Sequence, residues 1–178
     1  MTTITLIRAD LALQKQVLID LNLDYMDWVV KHVEQHFGLS TQALLGMTLA
    51  EYVPDALEKI CGKDNPDSRF YLFQVDGQFA AMGGMRSLPA GAGKIAEIKR
   101  LYVLPAYRGL HLGEQLLQAL LTDARTLGYQ TACLDSAPFM HAAHRLYEAA
   151  GFKDCPAYEG AEVPAALHAG WRFMEMSL

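Results

Sequence analysis

The segment LYVLPAYRGLHLGEQLL, Leu101 to Leu117, most constrains how this chain folds. A β-prone run stops at Pro105, whose locked φ and missing N–H end a ladder. A helical pattern opens at about His111 and runs to Leu127, with Leu112, Leu116, Leu117, Leu120, Leu121, Ala124 and Leu127 on one face. A strand that turns into an amphipathic helix through Arg108, Gly109 and Gly113 demands a layered α/β domain. The start of a helix carries unpaired N–H groups and the positive end of the dipole. Small residues there let a phosphate approach the backbone, and Arg108 adds a fixed charge. Neither GxxxxGK[ST] nor GxGxxG is present, so the residues alone leave a plain turn and a phosphate cradle both open.

The strand before this loop breaks its own alternation. Ile98, Leu101 and Val103 are apolar, and Lys99 and Arg100 sit side by side between the first two. A β-bulge at Lys99-Arg100 would return Ile98 and Leu101 to one face. It would also free backbone N–H and C=O groups for an extended, amide-containing ligand.

The rest of the chain reads as alternating elements. A short strand, Ile4 to Ile7, precedes a helix capped by Asp10 that runs from Leu11 to Phe37, either single or bent, and stops at Gly38. Thr48 and Glu51 form a capping box that opens a helix ending near Gly62, and Lys63 to Ser68 is a turn. Strands over Phe70–Val75 and Gln78–Arg86 flank an Asp76-Gly77 hairpin turn. The Gly83-Gly84 pair marks a bulge or a close approach. After a loop over Pro89–Gly93, Lys94 to Leu104 completes a meander. Thr131–Asp135 is a strand, His141–Ala150 a helix ended by Gly151, and Phe152–Ala157 and Trp171–Met176 a last strand pair.

Composition narrows the class. A chain of 178 residues with 52% hydrophobic and 20% charged residues suits one domain spanning 1–178. A net charge of −5 argues against a nucleic-acid partner. Cys61, Cys133 and Cys155 form no CxxC spacing, which points to a reducing, cytoplasmic setting without a structural metal. No apolar run reaches membrane-spanning length.

The loop resembles the signature V-x-P-x-x-R-G-x-G-x-G of the GNAT superfamily of N-acetyltransferases. DSAPFMHAAHRLYEAAGF resembles that family's second block, N-x-x-A-x-x-L-Y-x-x-x-G-F, with Ala143, Leu146, Tyr147, Gly151 and Phe152 in register. The resemblance implies a mixed sheet of about seven strands flanked by four helices, with the bulge in the fourth strand. It implies acetyl-CoA as acyl donor, no metal, and direct transfer to the primary amine of a small molecule, amino acid or peptide. A homodimer is compatible with it. Carried over residue by residue, it places the pyrophosphate on Arg108, Gly109, Leu110, His111, Leu112 and Gly113, and the pantetheine along Leu101, Tyr102 and Val103. The family's middle glycine is His111 here, and its frequent asparagine is Met140. We expect His111 in helical conformation, with its N–H in the cradle and its ring outside; a position requiring φ > 0 would make histidine costly.

Acetyl transfer from a thioester needs a base for the amine, a donor to the carbonyl oxygen and a proton for the sulfur. Glu97, four residues before Leu101, matches the family's base; the alternative is a strand glutamate paired with Lys99 or Arg100. Tyr147 matches the acid, against a plain core aromatic, and the Leu101 N–H matches the oxyanion donor. Two other readings make different predictions: an acyl-CoA-binding regulator of the same fold would bind without turnover, and an interaction protein would not bind CoA. His32, His36, His141 and His144 read as exposed helix faces, and Cys133 as an inert core thiol. Asp135 and Ser136 end a strand where α/β ligands tend to lie. Tyr25, Trp28 and the Tyr158–Gly170 loop are candidates to line the acceptor pocket, and Met82, Met85 or Met140 to set its width.

Overall fold

The computed structural model describes residues 2–61, 66–89 and 94–178. Seven strands make one mixed sheet: β1 (Ile4–Arg8), β2 (Arg69–Val75), β3 (Gln78–Leu88), β4 (Ile95–Val103), β5 (Thr131–Ser136), β6 (Lys153–Asp154) and β7 (Arg172–Ser177). Their spatial order is β1-β2-β3-β4-β5-β7-β6. The β4–β5 pair is parallel and the other neighbours are antiparallel. Five helices accompany the sheet among the described residues, one more than expected: α1 (Leu11–Phe37), α2 (Thr41–Leu45), α3 (Leu49–Cys61), α4 (Leu112–Thr126) and α5 (His141–Ala150). The unforeseen α2 is a five-residue turn between a Ser40 cap and left-handed Gly46, too short to show a periodicity. The expected helix end at Gly62, half of the Lys63–Ser68 turn and most of the Pro89–Gly93 loop lie outside the described residues.

Local chemistry accounts for the element boundaries. The Asp10 carboxylate accepts from the Ala12 N–H, and Gly38 closes α1 at φ 68°. Of the two expectations for this helix the bent one holds: it kinks near its start at Gln14, which has non-helical φ −113° and ψ 21°. Thr48 and Glu51 form the reciprocal capping box: Thr48 N–H donates to Glu51 Oε2 at 2.9 Å, and Glu51 N–H to Thr48 Oγ1 at 3.4 Å.

Helices cover both faces of the sheet. On one face, Leu18, Val30, Val53 and Leu57 of α1 and α3 pack on Leu72 and Met82. On the other, Leu117, Leu120 and Leu121 of α4 and Tyr147 of α5 pack on Ile98, Leu134 and Met174. Burial of each such leucine contributes roughly 1.5–3 kcal/mol. Met82 and Met85 are fully buried in these cores, which leaves Met140 as the methionine of the three that reaches a cavity.

The bulge in β4 is present, one residue later than expected. Met82 pairs with Tyr102 and Gly84 with Lys99, so Gly83 faces both Arg100 and Leu101. Arg100 takes the left-handed conformation (φ 59°) that the first residue of a glycine-type bulge adopts. Ile98 and Leu101 accordingly pack into the same core, as the broken alternation requires. The two glycines opposite are explained by space. A Cβ on Gly83 would meet Leu101 Cδ1 at 2.8 Å, and one on Gly84 would collide with the Phe70 ring.

Candidate active site

The loop after β4 begins with a 3-10 turn, Pro105–Tyr107, and ends at the start of α4. Gly109 (φ 87°) and His111 (φ 57°) are both left-handed. The expectation of a helical His111 is therefore wrong: it is the N-cap of α4 and occupies the conformation that the family's glycine adopts without cost. Histidine tolerates this region better than most residues, but still at a cost. The side chain is 78% exposed and lies outside, with Nδ1 3.4 Å from Glu114 Oε2.

The start of α4 differs from the starts of the first three helices. The side chains of Asp10, Ser40 and Thr48 accept from first-turn N–H groups, whereas His111 makes no such cap. Among the described residues the first-turn N–H groups of α4 thus lack a side-chain cap, which leaves the donor set an anion needs. Gly113 adds room: a Cβ there would meet nothing closer than 3.6 Å, so the protein itself does not demand glycine. Arg108 is exposed, with Nε 3.4 Å from the Val103 carbonyl. Leu112 is buried, and Leu110 is 38% exposed, so both could offer a ligand mainly backbone at the loop. This arrangement fits a pyrophosphate.

The two parallel strands part next to this loop. β4 and β5 pair only through Ile95–Thr131, Ala96–Ala132 and Glu97–Cys133, although β4 continues to Val103 and β5 to Ser136. From Ile98 onward the backbone of β4 has no ladder partner on the β5 side among the described residues. A cavity of about 150 Å³ lies in the opening. Leu101, Ala143 and Tyr147 line one part of it, and Tyr25, Val29, Leu167 and Trp171 another. Tyr102 points to the opposite face, with its ring 5.4 Å from Tyr25.

Tyr147 is 7% exposed and borders the cavity. Burial pushes its hydroxyl above the ordinary phenol value, so it stays protonated and able to donate. Glu97 is placed differently from an open base. It is fully buried and not among the cavity-lining residues. Its Oε2 accepts from Arg86 Nε at 2.5 Å and lies 3.4 Å from Lys99 Nζ, and its Oε1 accepts from the Tyr158 hydroxyl at 2.9 Å. Glu162 completes the cluster, 2.9 Å from Lys99 Nζ and 3.2 Å from Arg86 Nη1. Burial raises the Glu162 carboxyl, but the charges of Lys99 and Arg86 outweigh it and hold it below the ordinary value. The carboxylates that line the cavity are Asp135 and Glu162, and Asp135 Oδ1 accepts from the Trp171 indole N–H at 2.9 Å.

Several neighbouring residues lie elsewhere than the sequence suggested. His32 is half-buried rather than on an open face: its ring packs on Trp28 and Phe139, at 4.6 and 5.1 Å between centroids. Trp28 belongs to that stack and does not line the cavity, whereas Tyr25 and the Val163–Leu167 part of the last loop do. His144 is half-buried, with Nε2 3.1 Å from Ser136 Oγ, while His141 is exposed. Cys133 is 3% exposed and burial pushes its thiol up, consistent with an inert core residue. Sequence reasoning missed Arg86, and it named Tyr158 and Glu162 only as part of a candidate acceptor loop, since no local pattern links β3 or that loop to Glu97.

Comparison with known proteins agrees with this architecture. Residues 30–152 match the profile of the acetyltransferase (GNAT) family. An uncharacterized N-acetyltransferase of Schizosaccharomyces pombe, C1271.07c, is 31% identical over 147 residues, 83% of this chain and 86% of that one. A Klebsiella pneumoniae protein assigned as an acyl-CoA N-acyltransferase is similar over 100% of this chain and 98% of its own, at TM-score 0.65 and 26% identity. The PaiA N-acetyltransferase of Thermoplasma acidophilum, solved in complex with coenzyme A, shares the fold at TM-score 0.63 and 18% identity, covering 99% of each chain. With two motif blocks in place on a seven-stranded sheet that parts between β4 and β5, the chain belongs to the acetyltransferase (GNAT) family and is an acyltransferase.

Proposed function

We propose that this protein moves an acetyl group from acetyl-CoA directly onto a primary amine within a ternary complex. The parting of β4 and β5 after Glu97 and Cys133 carries the reading, because it opens unpaired strand backbone beside an uncapped helix start and ends in a cavity. The donor supplies an activated acyl carbon: a C–N bond forms as the C–S bond breaks, the amine loses a proton and the sulfur gains one.

The chain's own groups divide this work. Backbone N–H groups from Gly109 to Gly113, with Arg108, hold the pyrophosphate. Leu101 to Val103 present backbone to the pantetheine arm. The Leu101 N–H donates to the carbonyl oxygen as charge gathers there. The Tyr147 hydroxyl, kept protonated by burial, hands a proton to the sulfur. Asp135, facing the cavity, receives the proton of the amine, while Glu97 acts one layer behind by holding Lys99 and Arg86 in place.

Calorimetry with acetyl-CoA should show binding that weakens at least tenfold in Arg108→Ala. A screen that follows CoA release over amines, amino acids and peptides should then find an acceptor. Absence of binding to the parent protein rejects the reading, and binding with no release across the screen favours a regulator that only holds acyl-CoA.

A further inference from the structure

The cavity is lined by four charged residues, Lys99, Arg100, Asp135 and Glu162, and they do not all cancel. Lys99 and Glu162 pair with each other, and with Glu97 and Arg86 they form a cluster of two cations and two anions. Arg100 and Asp135 make no close ion pair among the described residues, although the charge of Arg100 is felt by Glu162 and that of Asp135 by Lys99.

Arg100 is held firmly for a residue without a close ion pair among the described residues. It is 7% exposed, and its guanidinium lies between the rings of Tyr25 and Tyr52, at 5.9 and 5.5 Å from their centroids. Nη2 donates to the Tyr52 hydroxyl at 3.2 Å. Nη1 is buried and has no hydrogen-bond partner among the described residues. A buried cation with an unused donor is costly unless something completes it. A carboxylate is the planar, two-oxygen acceptor that a guanidinium matches best.

Asp135 offers the opposite charge to the same cavity, and its Oδ1 is already oriented by the Trp171 indole. The α1–α2 side of the cavity is apolar, with Met26, Val29, Leu44 and Leu45, while Ser136 and Tyr147 line it elsewhere. A cavity of about 150 Å³ admits a small head group and not a folded surface.

Resting on the acetyltransferase reading above, we propose that the acceptor is a free amino acid with an apolar side chain. Its carboxylate binds Arg100, its ammonium binds Asp135, and its side chain lies against the α1–α2 wall. Arg100 is then a specificity residue that reads the carboxylate of the acceptor. A simple alkylamine or an amidated amino acid leaves its guanidinium uncompensated.

The test uses the CoA-saturated protein, and the free protein beside it, titrated calorimetrically with N-acetyl-leucine, N-acetyl-methionine and N-acetyl-phenylalanine and with the corresponding N-acetyl amides. At least one acid should bind at least tenfold more tightly than its amide. Arg100→Gln should abolish that preference and Arg100→Lys should retain part of it. Equal binding of acid and amide to the parent protein, or no binding of any of the three acids, overturns the proposal without relying on any variant folding. The transferase reading fails separately. If acids bind in preference to amides but acetyl-CoA never releases CoA, that reading falls and the carboxylate site stands. If alkylamines and amidated amino acids turn over as readily as free amino acids, the carboxylate site falls and the transferase stands.

Discussion

Arg86 and Glu97 face each other across the β3–β4 ladder, and Arg86 Nε donates to Glu97 Oε2 at 2.5 Å. The carboxylate is fully buried and the guanidinium side chain 18% exposed, so solvent screens this pair little. Removing one partner leaves a buried charge uncompensated. A double-mutant cycle of Arg86→Gln and Glu97→Gln, read by urea denaturation, should return a coupling of about 1–3 kcal/mol. Additive single effects would show that the pair is not a unit.

His111 adopts φ 57° with no side-chain cap, so it carries backbone strain without a local benefit to the fold. His111→Gly should leave stability unchanged or raise it by up to ~1 kcal/mol, the relief of strain being partly offset by the freer unfolded chain. His111→Val should lose about 1–2 kcal/mol, because a β-branched residue resists this region more strongly. Thermal melts of the three proteins decide; a stable valine variant would contradict the left-handed assignment.

Gly84 abuts the Phe70 ring, and an added Cβ would also lie 3.0 Å from the Arg69 carbonyl oxygen. Backbone on one side and a buried ring on the other leave little to yield. Gly84→Ala should cost about 1–3 kcal/mol by overpacking. The same substitution at Gly113, where the nearest atom would be 3.6 Å away, should leave the melting temperature nearly unchanged and instead weaken acetyl-CoA binding. Calorimetry and thermal melts on the two variants separate these effects.

Tyr147→Phe removes the hydroxyl from the cavity and keeps the ring that packs 5.9 Å from Phe152. Turnover should fall by roughly 10²-fold, with acetyl-CoA affinity changed by less than about threefold, as expected for a lost proton donor. Steady-state kinetics with any acceptor that releases CoA provides the measurement, and unchanged turnover would return Tyr147 to a packing role.

His144 has its imidazole held below the ordinary 6.5 by burial and by the charge of Arg172, against weaker opposing effects from the Ala137 backbone and Glu148. A depressed histidine stabilises the fold fully above its unfolded value, and that contribution is lost as pH falls through the lower folded value. Stability should therefore hold above pH 6.5 and decline below it, where protonation charges a ring whose Nε2 lies 3.1 Å from Ser136 Oγ. His144→Gln should flatten this decline in urea midpoints collected across the range.

Much of this protein was legible in its linear order. Caps at Asp10 and Thr48, the Asp76-Gly77 turn and the leucine spacing of α4 depend on neighbours a few residues apart, so they survive reading as a string. The broken alternation at Lys99-Arg100 likewise announced the bulge, because strand period is a local property. Tertiary structure decided the rest. The left-handed backbone of His111 is imposed by how the loop joins β4 to α4, not by histidine's own preference. Glu97 was visible as a carboxylate, but whether it was open or clamped depended on Arg86, Tyr158 and Glu162 arriving from distant segments. The buried Arg100 Nη1, without a hydrogen-bond partner among the described residues, exists only where α1, α3 and β4 meet, since burial and pairing belong to the packed chain.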